Sequence, residues 1–258
     1  MAMDGQGGRG RRWAVRVLLA LTMLGVGIWL AFQLSPWPSV LLIRWAFDRG
    51  AAETSQALRK HLPAGVGLLT HAEELNIDTR RIVLAGDSAG AQIAAEVANL
   101  TTSPVHAQRM GIVPALASEQ LAGMLLYCGP YDAGLVQWDS PFAGFMRTVL
   151  WSYLGKKDFR DDPRLDVFSV SRHVTPAFPP SFVSAGNADP LEPHSRALVA
   201  ALNANHVKVE GLFFPKDYTP ALPHEYQFNL DIDAGRQALQ RSVAFLTSLE
   251  RPPPPAHP

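Results

Sequence analysis

Cysteine is almost absent from this chain of 258 residues, where Cys128 is the single one. One thiol cannot close an internal disulfide, and without a second cysteine nearby there is no thiolate metal site, so cysteine usage says nothing of the redox compartment. An excess of charge is lacking too: 23 Lys and Arg balance 23 Asp and Glu, for a formal net charge of zero. The one dense basic cluster, Arg9, Arg11, Arg12 and Arg16, precedes an apolar run. A nucleic-acid binder needs a basic face, and that class is excluded. No internal repeat occurs. The length leaves room for one medium domain plus an anchor rather than two full domains, and 47% hydrophobic residues suffice for a substantial core.

What is present begins with an uncharged stretch, Val17 to Leu34, whose 18 residues come close to the ~20 that an α-helix needs to cross a bilayer. It is read as one transmembrane helix. The arginines on its N-terminal side keep the N-terminus in the cytoplasm by the positive-inside rule and send the rest of the chain across the cell membrane. The rival is a cleaved signal peptide, whose apolar region is usually about 7 to 15 residues and ends at small residues. Trp29, Phe32, Leu34 and Trp37 crowd the exit and no Ala-x-Ala follows, which favours the uncleaved anchor.

Ser35-Pro36-Trp37-Pro38 then breaks the helix, because proline lacks an amide hydrogen and restrains the residue before it. A second helix is expected there. Leu41, Leu42, Trp45, His61 and Leu62 bracket a segment apolar at helical spacing in its first half and polar from Ala51 to Lys60, suited to lie on the membrane or to cap a pocket. Leu68 to Leu75 reads as the end of a helix stopped by Asn76, and Arg81 to Ala85 as a short buried strand. After Gly86-Asp87-Ser88-Ala89-Gly90 comes a helix of small residues, Ala91 to Leu100. Strand patterns recur at Leu121 to Tyr127, Ser181 to Ala185 and Val207 to Phe214, with helices between them, and this alternation implies a mostly parallel sheet. A last helix, with Leu239, Val243, Leu246 and Leu249 on one face, is expected to pack on that sheet. Pro252 to Pro255 cannot form helix or ladder, so the tail is expected to be disordered.

Gly86-Asp87-Ser88-Ala89-Gly90 fits the G-x-S-x-G nucleophile elbow in the context that motif requires, after a strand and before a helix. The abrupt corner strains the backbone of Ser88, and glycines on either side remove side chains that would clash. The Ala89 amide, at the positive end of the following helix, can donate to an oxyanion formed when Ser88 attacks a carbonyl. The plainer alternative is a Gly/Ser turn with Ser88 as N-cap. A serine hydroxyl needs a base to take its proton and an acid to orient that base, in the order Ser, acid, His for this fold. Asp189, just beyond the third strand pattern, and His224, after the fourth, stand in that order. Asp189 could equally cap the helix that starts near Glu192, Asp217 is a rival acid nearer to His224 in sequence, and a lone loop histidine is often merely solvated.

On these residues the segment Leu68 to Leu249 resembles the C-terminal half of bacterial α/β-hydrolases of the hormone-sensitive-lipase-like esterase group, whose nucleophile motif is GDSAG. Tyr127-Cys-Gly-Pro-Tyr-Asp132, Phe178-Pro-Pro180, Ala185-Gly-Asn-Ala-Asp189 and Pro223-His224 support it. The resemblance implies an α/β-hydrolase fold and Ser88, Asp189 and His224 as a catalytic triad. It also implies that Asp139 to Arg160, with an aromatic-rich helix Phe142 to Leu154, contributes to a lid over an acyl pocket; a core helix is the equal alternative. Such enzymes place several strands and a His-Gly-Gly-type loop before the elbow, and that loop donates the other oxyanion amides. No His-Gly-Gly exists here, and about thirty residues without a strand-like run separate Ser35 from Gly67, as though a long internal segment were deleted near Gly65-Val66-Gly67. The elbow strand is then expected at an unpaired sheet edge.

The organisation read from sequence is a cytoplasmic basic N-terminus over 1–16, an anchor over 17–34, a linker or amphipathic helix over 35–67, a truncated α/β-hydrolase domain over 68–250 outside the membrane, and a Pro-rich tail over 251–258. The expected activity is hydrolysis of small carboxylic esters without metal or organic cofactor, impaired by the missing oxyanion loop. The alternatives are an inactive membrane-tethered remnant and, with the same three residues, acyl transfer or peptide cleavage.

Overall fold

In the computed structural model, residues 6–42, 72–74, 76–140 and 142–249 are described. The chain divides into two compact units: Met1–Gly65 with Gly144–Phe159, and Val66–Ala143 with Arg160–Pro258. The sequence features at Trp45, Ala51 to Lys60, His61 to Leu62, Leu68 to His71, Leu75 and the Pro-rich tail lie outside the described residues.

The second unit holds the sheet. Its strands are β1 (Ile82–Asp87), β2 (Leu121–Tyr127), β3 (Ser181–Ala185) and β4 (Val209–Phe213), hydrogen-bonded in the order β1-β2-β3-β4 and parallel at every pairing. A parallel strand covered on both faces reads as a continuous apolar run, and all of β3 is buried. Its side chains alternate between two cores. Val183 turns to a cluster containing Met124, Leu126 and Leu198, whereas Phe182 turns to one containing Leu212, Leu222 and Phe245.

Helix α1 (Gln6–Leu34) belongs to the first unit and is described below. α2 (Ala89–Thr102) covers the first face of the sheet with Ala91, Ala94, Ala95 and Ala98, whose small side chains allow close packing over β1 and β2. α3 (Pro104–Met110) starts on proline, which has no amide to leave unbonded, and the Ser103 side chain accepts from the His106 amide. α4 (Ala143–Leu154) and the single turn α5 (Arg164–Val167) separate β2 from β3; α6 (Glu192–Ala204) follows β3 and adds Leu198 and Leu202 to the first core.

The last helix, α7 (Asp233–Ser248), packs on the opposite face through only part of the side read from sequence: Leu249, just past its end, lies against the second core and Leu246 is half-buried. Leu239 and Val243 are 50% and 53% exposed, whereas Ala234, Gly235, Ala238, Ser242 and Phe245 are buried. The first half of the stripe misled because most of the contact is made by small residues around Phe245. A Cβ on Gly235 would fall under 3.0 Å from the Asn229 carbonyl, so the helix lies nearly backbone to backbone on the preceding loop. Leu239 instead lines a shallow apolar groove with Phe228 and Leu230.

Among the described residues β1 has β2 as its only strand neighbour, so the strand that carries the elbow lies at the margin of the sheet, and Ala85 within it is exposed.

In the first unit, Val15–Leu34 of α1 is a stretch of 20 residues with mean hydropathy 2.1, long and apolar enough to cross a membrane, a test that a signal sequence near an N-terminus also passes. Helix resumes over 37–42, after the break at Ser35, with the Val40 amide donating to the Pro36 carbonyl at 2.9 Å. Apart from its first residue, α4 clusters with this N-terminal segment and not with the sheet. Met146, Leu150 and Leu154 form its buried side, while Tyr153 is 65% exposed. Just beyond α4, the Lys157 ammonium donates to the Gln33 carbonyl at 3.0 Å and to its Oε1 at 3.1 Å.

Candidate active site

β1 ends at Asp87 and α2 begins at Ala89, so one residue makes the turn. Ser88 has φ 52° and ψ −122°, a left-handed value of φ that costs a residue with a Cβ of order 1–3 kcal/mol unless its surroundings hold it there. They do so here: the Ser88 amide donates to Tyr127 O on β2 at 2.9 Å, and its carbonyl accepts from Ala91 N at 3.1 Å. A Cβ on Gly86 would sit under 3.0 Å from Gly90 O, so the corner requires glycine there. Gly90 is different. A Cβ at that position would meet nothing within 4 Å, and the expectation that both glycines relieve a clash holds for Gly86 only. The Ser88 side chain makes no capping bond to α2, which removes the plain N-cap alternative. Its Oγ lies 3.0 Å from His224 Nε2.

Beyond β3 the chain turns through Gly186, Asn187 and Ala188 to Asp189, whose carboxylate is fully buried. Its two oxygens have different partners, and neither caps α6, whose N-cap is Leu191 with no side-chain capping bond. Oδ1 accepts the Leu191 amide at 2.7 Å and shapes the turn before α6, and Oδ2 lies 3.0 Å from His224 Nδ1. The rival acid, Asp217, is exposed at the surface. The Asp189 and His224 loops are joined to each other. Leu222 N donates to Asn187 Oδ1 at 2.8 Å, Ala188 N to Leu222 O at 3.0 Å, and Asn187 Nδ2 to the Lys216 and Tyr218 carbonyls at 3.2 and 3.1 Å. Gly186 makes this approach possible, because a Cβ there would fall under 3.0 Å from Leu222 O and at 2.9 Å from Pro223 O.

His224 is held above its ordinary pKa. Burial pulls the other way, but the hydrogen bond and charge of Asp189 outweigh it, and the charges of Glu225 and Asp87 add to the rise. Two of these neighbours are not apparent from the chain alone. Glu225, itself at φ 64°, brings Oε1 to 3.9 Å from His224 Nε2. Asp87 is pushed up to about 6, first by burial and then by the Glu225 charge, while a hydrogen bond from Gln227 Nε2 to its Oδ1 at 2.6 Å works against the rise. Gln227 Oε1 in turn accepts from Cys128 Sγ at 3.4 Å, so one amide ties the histidine loop to both the elbow and the end of β2. Adjacency to His224 was the only available signal for Glu225 and Gln227; that Asp87 and Cys128 meet them follows from the fold.

Cys128, Asp189 and His224 offer ligand atoms within 4.8 Å of one another, the one such set among the described residues. They suit a metal poorly, since burial raises the Cys128 thiol pKa above its ordinary value and the other two groups bond each other. The Phe142 ring stands 6.2 Å from the imidazole. The Ala89 amide belongs to the first turn of α2, whose N–H groups have no intrahelical acceptor and carry the positive end of the helix dipole.

A parallel α/β sheet with flanking helices, a serine at a strand-to-helix corner, and an aspartate and a histidine joined to it from later strand ends together describe an α/β-hydrolase. The chain belongs to that family: the model described as alpha/beta hydrolase fold matches residues 51–222. The match begins within the segment 35–67 that sequence patterning assigned to a linker. Acetyl esterases of Salmonella paratyphi B and Salmonella schwarzengrund are each 27% identical over 189 residues, covering 71% of this chain and 54% of theirs. Esterase B of Lactobacillus rhamnosis superposes with a TM-score of 0.57 at 20% identity, over 70% of this chain and 56% of that one. A carboxylesterase of Lactobacillus plantarum gives 0.52 at 22%, over 72% and 65%. These structures support the fold. The resemblance to the hormone-sensitive-lipase-like bacterial esterases holds, and the chain spans about half the length of the curated relatives it matches.

Proposed function

We propose that this chain is a serine hydrolase of carboxylic esters in which Ser88 is the nucleophile, His224 the general base and acid, and Asp189 the group that orients and stabilises the imidazolium. The observation that carries this reading is the pair of 3.0 Å contacts, Asp189 Oδ2 to His224 Nδ1 and His224 Nε2 to Ser88 Oγ, at a strained corner. His224 Nε2 takes the hydroxyl proton as Oγ bonds to the acyl carbon and the carbonyl becomes an oxyanion. That intermediate collapses by breaking the bond to the alkoxy oxygen, which leaves with the proton from Nε2. Water then repeats the sequence on the acyl-serine, releasing the acid and restoring Ser88.

Ala89 is the one oxyanion donor assigned, and no His-Gly-Gly loop exists to add others. A missing donor typically costs about 10²–10³ in turnover, so activity should be weak and best toward short, activated esters, which need that help least. The domain over 68–250 would stand outside the cytoplasmic membrane, held by the N-terminal helix with its basic end inside.

The test is hydrolysis of p-nitrophenyl acetate and butyrate, with fluorophosphonate labelling, by the whole chain and by Ser88→Ala. Labelling lost in Ser88→Ala supports the reading. A folded protein that neither labels nor turns over is the inactive remnant, and robust turnover means that amides besides Ala89 hold the oxyanion. Resistance to carbonate extraction and removal of the domain by external protease test the anchor and its orientation.

A further inference from the structure

We infer that the segment Gly144–Phe159 rests on the bilayer at the exit end of the N-terminal helix, with Trp151, Tyr153, Lys156 and Lys157 at headgroup depth. The partner of this surface is a lipid bilayer. The inference rests on the reading of Val15–Leu34 as a membrane span and not on the proposed chemistry of Ser88.

Twenty helical residues rise ~30 Å, the thickness of the hydrocarbon core, so the two ends of such a span fall at the two interfaces. No part of this stretch is buried inside the protein, which leaves its sides to lipid. Gln33 stands one residue from the helix end and is therefore at the exit interface. The Lys157 ammonium is fixed to Gln33 by two hydrogen bonds, 3.0 Å to its carbonyl and 3.1 Å to its side chain, which brings the C-terminal side of α4 to the same depth. The Trp151 ring centroid is 5.4 Å from that ammonium.

The surrounding surface has the composition of an interfacial belt. Tyr153 is 65% exposed, and Trp37, Leu41 and Leu42, which follow the span directly, are 66%, 59% and 55% exposed. Aromatic rings with a polar edge and lysines with long apolar stems favour this boundary, where the body meets acyl chain and the tip meets water. Lys156 and Lys157 add two cations next to the lipid phosphates. A segment facing water throughout would gain nothing from this grouping.

The experiment uses the full chain in phosphatidylglycerol–phosphatidylcholine vesicles, with Tyr153→Cys carrying a polarity-sensitive fluorophore; Cys128 is fully buried and stays unlabelled. Quenching by a lipid spin-labelled near its headgroup is compared with quenching by aqueous iodide. The expected result is several-fold stronger quenching from the lipid, reversed by Lys156→Glu with Lys157→Glu. Stronger quenching by iodide in a vesicle-bound protein overturns the inference while leaving the span intact. Release from the vesicles by carbonate overturns both. Should Tyr153→Cys not fold, Ser152→Cys, also exposed and on the same turn, gives the same comparison.

Discussion

Replacing Gly186 by alanine should damage catalysis more than stability, and the size of the effect can be worked from the loop geometry. The added Cβ would lie 2.9 Å from Pro223 O and nearer still to Leu222 O, where ordinary contact begins at 3.4 Å. The loops bearing Asp189 and His224 must then part by about 0.5 Å at Pro223 and by more at Leu222. The Asp189–His224 contact, at 3.0 Å, has little slack before it leaves hydrogen-bonding range. Misplacement by ~1 Å costs on the order of 10²-fold in rate, so a loss of roughly 10- to 100-fold in kcat is expected. Overpacking of this kind costs about 1–3 kcal/mol, or roughly 2–4 °C in Tm per kcal/mol for a domain of this size. The rate of fluorophosphonate labelling and the turnover of p-nitrophenyl butyrate measure the first effect, and thermal unfolding the second. Gly144→Ala, where a Cβ meets nothing within 4 Å, is the control. A Gly186→Ala protein that labels at the wild-type rate would show that close apposition of the two loops does not set the position of the base.

Three further outcomes are expected. Because His224 is held above its ordinary value and, in the proposed mechanism, must be neutral to accept the Ser88 proton, the acid limb of kcat/KM should have its midpoint above 6.5, and Asp189→Asn should move that midpoint down while lowering the rate. Asp87, raised from 3.8 to about 6, binds more protons folded than unfolded between those values. Its contribution to stability therefore falls as pH rises across that window, and urea unfolding at pH 4.5 and 7.5 should show Asp87→Asn gaining on the wild type at the higher pH. Cys128, wholly buried and with its thiol pKa raised, should react with a thiol reagent at a measurable rate only after denaturant is added, and prompt reaction in the native protein would contradict its placement.

The sheet was legible in sequence because a buried parallel strand leaves a plain mark. Leu121–Tyr127 and Ser181–Ala185 have the bounds that their strand patterns suggested, and β4 is one or two residues shorter at each end than its pattern. The corner at Ser88 was legible for another reason, since few turns other than a strand-to-helix elbow need Gly-x-Ser-x-Gly at that place. The contact face of α7 was legible only at Leu249, because periodicity weighs large apolar residues, and beside Phe245 this helix approaches through Ala234, Gly235, Ala238 and Ser242. Nor were Glu225 and Gln227 as neighbours of Asp87. The link from Gln227 to Asp87 spans 140 residues, and nothing local in the chain marks either end as half of a pair.

The sheet order β1-β2-β3-β4 has a consequence for how the site is walled. Open α/β sheets bind ligands in the crevice where the winding direction reverses, between loops that diverge to either side. Among the described residues this sheet winds in one direction only, with Ser88 just beyond the end of β1, so the loops after β2, β3 and β4 all lie on one side of the nucleophile.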